Sequence, residues 1–165
     1  MSSLHLKDFV NGYSLEVVPN SAAKIESFAE ILPKQTRVYV AHLEKENIET
    51  MVKTAKRLSD EGFTVMPHVP ARIVKDKATL SDWISMYQNE AGVTEALLLA
   101  GGSAKPVGDY DSSIQLIESG LFDKAGFKRL HIAGHPEGSK DIDPDGGFKN
   151  VSKALPLLIL LVELS

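Results

Sequence analysis

Five short runs of strand character recur along this chain, and between the first four and their successors lies a stretch with helical spacing. The runs open near residues 13, 36, 63, 95 and 129, so one unit takes about 23 to 34 residues. A β-hairpin needs far less chain, whereas a parallel crossover needs a dozen residues or more, usually a helix. The alternation therefore predicts parallel strands joined by right-handed helical crossovers, an α/β fold with its helices packed on the sheet.

The elements can be placed from local chemistry. Tyr13 to Pro19 (YSLEVVP) reads as a strand, and Asn20 or Ser21 as the cap of a helix running to about Leu32. Thr36 to Leu43 is β-branched and apolar. Asn47 caps a longer helix in which Ile48, Met51, Val52, Ala55 and Leu58 repeat at helical spacing, and Gly62 stops it. Phe63 to Ala71 (FTVMPHVPA) is the third strand. In the helix from Ala78 to Ala91, Leu80, Trp83, Ile84 and Tyr87 share a face, and Gly92 ends it. Glu95 to Ala100 (EALLLA) looks apolar enough to be covered on both sides. Ser112 or Ser113 then caps a helix burying Ile114, Leu116, Ile117 and Leu121, and Arg129 to Ala133 is the fifth strand.

Two architectures fit five such units in 165 residues treated as one domain. One is a partial (β/α)8 TIM barrel, whose complete form takes about 250 residues. The other is a five-stranded doubly wound, flavodoxin-like sheet. Composition narrows the function classes. A net charge of −4 does not suit a nucleic-acid-binding surface. The absence of cysteine removes disulfides and thiolate metal sites and points to a cytosolic setting. Met1 to Asn11 has no apolar core of signal-peptide type. The run from Ala154 to Leu164 is apolar but covers only 11 residues, short of the roughly 20 that span a bilayer; no membrane association is expected.

In parallel α/β folds, ligands bind where the strands end. Collected there would be Glu16, His42, His68, the Gly101–Gly102 pair, and His135 with Glu137 in the stretch Ile132 to Gly138. Glu16 lies among Leu15, Val17 and Val18, where an unpaired carboxylate is costly to bury. It either points to solvent or serves as an acid. His68, between Pro67 and Pro70, is a candidate ligand contact or a turn residue. His131 reads as a hydrogen-bonded core histidine and His5 as a surface one. Gly101–Gly102 permits close backbone approach to a ligand, or simply a turn. No His-x-x-x-His or carboxylate cluster suggests a metal. Asp141 to Gly146 lacks the full spacing and closing Glu of a calcium loop.

Taken in order, YSLEVVP, MPHVPAR, LLLAGG and IAGHPEG resemble the methylenetetrahydrofolate reductase family over about residues 13 to 153. The resemblance implies a (β/α)8 barrel holding FAD, with NADH or NADPH as reductant and 5,10-methylenetetrahydrofolate as the folate substrate reduced to the 5-methyl form. It implies Glu16 as general acid toward the folate. Tyr39, His68, Gly101, Gly102, Tyr110, His135 and Glu137 become cofactor-binding positions. Gly102 stands where the family commonly has an aspartate. Leucine occupies the region after Lys153 where a phosphate-contacting lysine is expected, and the pattern stops near Ala154. The tail from 154 to 165 then reads as the product of truncation or a frameshift in a longer gene, or as an apolar tail packing on the sheet edge or in a homo-oligomer. Five strands would give about half a cofactor cage, so the short chain alone is expected to be inactive. The alternatives are a flavin- or phosphate-ligand-binding module without folate chemistry, and an inert fragment.

Overall fold

A computed structural model describes residues 11–133. The elements follow the expected alternation: β1 (Ser14–Val17), α1 (Pro19–Ala22), β2 (Arg37–Val40), α2 (Ile48–Asp60), β3 (Thr64–Pro70), a 3-10 turn (Ala71–Ile73), α3 (Lys77–Ala91), β4 (Glu95–Leu99), α4 (Ser113–Glu118), α5 (Leu121–Lys124) and β5 (Arg129–Ile132). All neighbouring strands pair in parallel. Their spatial order is their chain order, β1-β2-β3-β4-β5. Among the described residues both outer strands, β1 and β5, have a neighbour on one side only.

The long helices start and stop for the reasons their sequence offers. Asn47 Oδ1 accepts from the Thr50 N–H at 2.8 Å, satisfying a donor that the first turn of α2 leaves unpaired. Asp76, not foreseen as a cap, does the same for α3 through the Thr79 N–H and hydroxyl. Those two bonds hold its carboxyl below the usual carboxylate range. Gly62 and Gly92 take the left-handed conformation that ends each helix. Ser112 is the cap of α4, with its N–H donating to the Gln115 side chain at 3.1 Å.

The expected helix from residue 20 to 32 is reduced to α1, four residues long. Arg57 of α2 and Glu61, its C-cap, take over backbone groups a helix would have used. Glu61 Oε2 accepts from the Phe28 and Ala29 N–H groups at 2.6 and 3.0 Å. The Arg57 guanidinium donates to the carbonyls of Ala22, Ile25 and Glu26, and packs over the Phe28 ring at 5.5 Å. Tertiary contacts here override a good local helix pattern.

Burial alternates along β2 and β4, whereas every residue of β3 from Val65 to Pro70 is buried. In β2, Val38 and Val40 are buried while Arg37 and Tyr39 are not fully so. In β4 the buried residues are Ala96 and Leu98. Both core clusters draw their strand residues from this one face. The first joins Val38, Val40 and Val65 to Met51, Val52, Ala55, Leu58 and Tyr87. The second joins Val69, Ala96 and Leu98 to Leu80, Ile84, Leu116 and Phe122. The helices thus cover one side of the sheet. This corrects the reading of β4 as covered on both sides: among the described residues Leu97 and Leu99 lie half-buried on the other side.

That other side is curved. β2 and β5 are three strand spacings apart, about 14 Å in a flat sheet. Yet the rings of Tyr39 and His131 lie 6.1 Å apart, edge to face. The sheet must curl to bring them together, which makes the helix-free face concave.

Candidate functional site

By strand parity the concave face carries Glu16 from β1, Arg37 and Tyr39 from β2, Met66 and His68 from β3, Glu95 and Leu97 from β4, and Arg129 and His131 from β5. Five of these form one line of contacts. His68 Nε2 stands 3.2 Å from Glu16 Oε2. The Tyr39 ring meets the His68 ring at 6.1 Å and 67°, and on its other side the His131 ring at 6.1 Å and 89°. His131 Nε2 stands 3.5 Å from Glu95 Oε2. The arrangement is carboxylate, imidazole, phenol, imidazole, carboxylate.

The two ends differ in their access to solvent. The Glu16 side chain is 56% exposed because β1 is an outer strand, so of the two outcomes open to it the carboxylate takes the solvent-facing one. His68 beside it is only 11% exposed. At the other end Glu95 and His131 are 17% and 23% exposed. Burial lowers the tendency of both imidazoles to take a proton; Glu16 opposes this at His68 and Glu95 opposes it at His131. Burial likewise raises the Tyr39 phenol above its ordinary value. At neutral pH both rings are therefore neutral, each with one nitrogen able to donate and one able to accept.

These groups are not saturated. Six buried side-chain nitrogen or oxygen atoms among the described residues have no aligned hydrogen-bond partner, and four belong to the concave face: Arg37 Nε, His68 Nε2, Glu95 Oε2 and His131 Nε2. The two imidazole–carboxylate approaches, at 3.2 and 3.5 Å, fall within ion-pair distance. A buried polar group left unpaired costs about 1–3 kcal/mol, so water or a polar ligand group on this face is stabilising.

The loops at the C-terminal ends of the strands are tied to one another. The Arg72 N–H donates to the Ala100 carbonyl, and the Val107 N–H to that of Arg72, both at 2.9 Å. The Arg72 guanidinium reaches Asp111 at 2.8 Å and the Ser103 carbonyl at 3.2 Å, while the Ser103 hydroxyl donates to Glu44 at 3.0 Å. Two glycines are required here. Gly101 has φ +92, and a Cβ on it would lie 2.9 Å from the Cβ of Pro70. A Cβ on Gly108 would lie 1.7 Å from the Lys75 carbonyl oxygen. Gly102 has open space around it.

The remaining expected site residues fall elsewhere. His42 turns to the helix side, its ring 5.2 Å from that of Trp83 and its Nε2 3.1 Å from the Glu46 carbonyl oxygen. Tyr110 is buried in the second core cluster with Val74, Leu80 and Leu116, apart from the line of contacts. His135, Glu137, His5, Asp141 to Gly146 and the apolar run after Lys153 lie outside the described residues. His131 has Glu95 as its ion-pair partner at 3.5 Å, on the concave face and not in the helix-side core. Glu95 and Arg37 were not singled out; their strand parity with Leu97 and Tyr39 is the signal that marks them.

A hollow of about 550 Å3, bordered by Tyr13, Lys34, Gln35, Thr36, Arg37 and Thr64, opens at the N-terminal ends of β1 to β3, away from the tied loops. Among the described residues no three histidine or acidic side chains gather so as to hold a metal ion. None of the described helices is long and apolar enough to cross a membrane. No protein-family model matches the chain.

Proposed function

We propose that this chain is a flavin-dependent oxidoreductase unit of the methylenetetrahydrofolate reductase type, built as part of a (β/α)8 barrel. The observation that carries the reading is the Glu16–His68 pair, 3.2 Å apart beside Tyr39 on the helix-free face. The sequential strand order and the concave curl favour a barrel segment, because a doubly wound sheet reverses its strand order partway and carries helices on both faces.

The residues present fit a flavin. Gly101 and Gly102 offer backbone at the exit of β4 with no side chain in the way, and the unpartnered His68 nitrogen offers a hydrogen bond within reach of the same face. Tyr39 and His68 would hold the ring. FAD bound there would supply hydride transfer from NADH or NADPH to 5,10-methylenetetrahydrofolate. Glu16, open to solvent on one side and to His68 on the other, gives a proton to the folate nitrogen, and neutral His68 orients the carboxyl through its ring nitrogen. In this reading His135 and Glu137, which lie outside the described residues, are further cofactor-binding positions, and a homo-oligomer would cover the outer strands β1 and β5.

Gly102 favours a second reading, a flavin- or phosphate-ligand-binding module without folate chemistry, since the carboxylate expected there is missing. The two are separated by the purified chain itself. A flavin spectrum bleached by NADH or NADPH and restored by the folate supports the reductase. Bleaching that the folate does not reverse leaves the binding module, and a colourless chain that takes up no added flavin defeats both. In the first case Glu16→Gln spares reduction of the flavin and stops reduction of the folate; equal loss of both half-reactions removes the acid role.

A further inference from the structure

We propose that the hollow at the N-terminal ends of β1 to β3 binds a small phosphate-bearing molecule, held by Arg37 and Lys34. It lies at the opposite end of the strands from the tied loops and stands independently of the flavin reading. Its volume of about 550 Å3 is of a size common among small-ligand clefts. Three stretches wall it: the approach to β1 with Tyr13, the turn into β2 with Lys34, Gln35 and Arg37, and Thr64 at the start of β3. Arg37 and Thr64 are register partners, so their side chains leave neighbouring strands on one face.

Charge and strain both point to an anion. The lining carries two cations and no carboxylate. Among the described residues neither Lys34 nor Arg37 has an ion-pair partner. Arg37 Nε is buried with no hydrogen-bond partner, a cost that an acceptor in the hollow removes. The turn that carries these groups is held in an unfavourable shape. Gln35, with φ +64, is the one non-glycine residue in the left-handed region among the described residues. Such strain persists only where the surroundings fix it. Here the Gln35 N–H donates to the Gly62 carbonyl at 3.1 Å, and the Thr36 N–H to that of Pro33 at 3.2 Å. A cation in the hollow would meet two positive charges, and an apolar group would leave Arg37 Nε unpaired. A phosphate brings three oxygens, of which the guanidinium fork can take two. The Lys34 ammonium, the Gln35 amide and the Thr64 hydroxyl supply further donors. A carboxylate, with two oxygens, would use fewer of them. Tyr13, partly exposed at the rim, offers a flat wall for the organic part of the molecule.

The test follows the phosphorus NMR resonance of inorganic phosphate in the presence of the full chain, at constant ionic strength. Saturable broadening at millimolar phosphate is expected. Arg37→Gln is expected to weaken binding about ten- to a hundredfold, the range for hydrogen bonds to a charged group. Lys34→Gln, at an exposed position, is expected to weaken it about two- to fivefold, and the charge reversal Lys34→Glu further. A wild-type chain that gives no saturable broadening overturns the proposal. So does an Arg37→Gln chain, folded by far-UV circular dichroism, that binds phosphate as tightly as wild type. If Arg37→Gln does not fold, Lys34→Glu decides, and unchanged affinity in that variant overturns the site. Retention or loss of flavin by the same samples reports separately on the flavin reading.

Discussion

The two faces of one sheet are built on opposite principles. On the helix side, Val38, Val40, Val65, Ala96 and Leu98 are buried to 5% exposure or less against apolar helix residues, and the packing is dense. On the concave side, strand residues of the other parity bring two carboxylates, two imidazoles and a phenol into one line of contacts, with Arg37 on the same face. The first face has what a core needs and nothing a ligand would recognise. The second sets polar groups around a fully buried Met66, and their unpaired atoms would be a defect if stability were its only purpose. Stability and recognition are thus divided between faces by a period of two along each strand.

The sharpest way to break this comparison is a pair of adjacent truncations in β4. Leu98→Ala empties a fully buried helix-side position and is expected to cost about 2–5 kcal/mol in urea unfolding. Leu97→Ala, one residue away on the concave side, is expected to cost about 1 kcal/mol or less. Equal costs would mean that both faces are core.

A second contrast lies in the tied loops. Gly108→Ala drives a methyl into the Lys75 carbonyl and is expected to lose about 3 kcal/mol. Gly102→Ala meets open space and should stay within about 0.5 kcal/mol, again by urea unfolding. If Gly108→Ala is silent, the 101–110 loop is not held against residue 75.

The histidines give a smaller effect spread over both faces. His42, His68 and His131 are all held below the ordinary imidazole value of 6.5, burial being the largest cause in each case. Their folded-state contribution is present above that value and is lost as pH falls through the lower folded values, because the unfolded chain takes up protons first. The unfolding midpoint should therefore drop between about pH 7 and about pH 5. A midpoint that rises on acidification would contradict the burial of these rings. Smallest of all is Asn47→Ala, which removes one cap from α2 and should cost about 1 kcal/mol.

Much of this division was legible in the sequence. Spacing and β-branched runs located all five strands within a few residues, and the Asn47 cap and Gly62 and Gly92 stops lie where local chemistry put them. Glu16 and His68 were both marked as candidates, and they meet. What was not legible depended on contacts distant along the chain. The helix expected from residue 20 gives way to Arg57 and Glu61, some 30 residues later. The partner of His131, Glu95, was passed over because it has no local signature. Their pairing with Tyr39 arises from curvature of the sheet, and a residue pattern of period two reports which face a side chain takes but not how strongly that face curls.

The central claim is that the concave face holds a flavin for hydride chemistry. An absorbance spectrum of the purified chain, alone and after addition of FAD and then NADH or NADPH, tests it most directly. The account predicts a flavin spectrum that stays with the protein through gel filtration and bleaches on addition of the nicotinamide under anaerobic conditions. A folded chain that retains no flavin at any added concentration would contradict it.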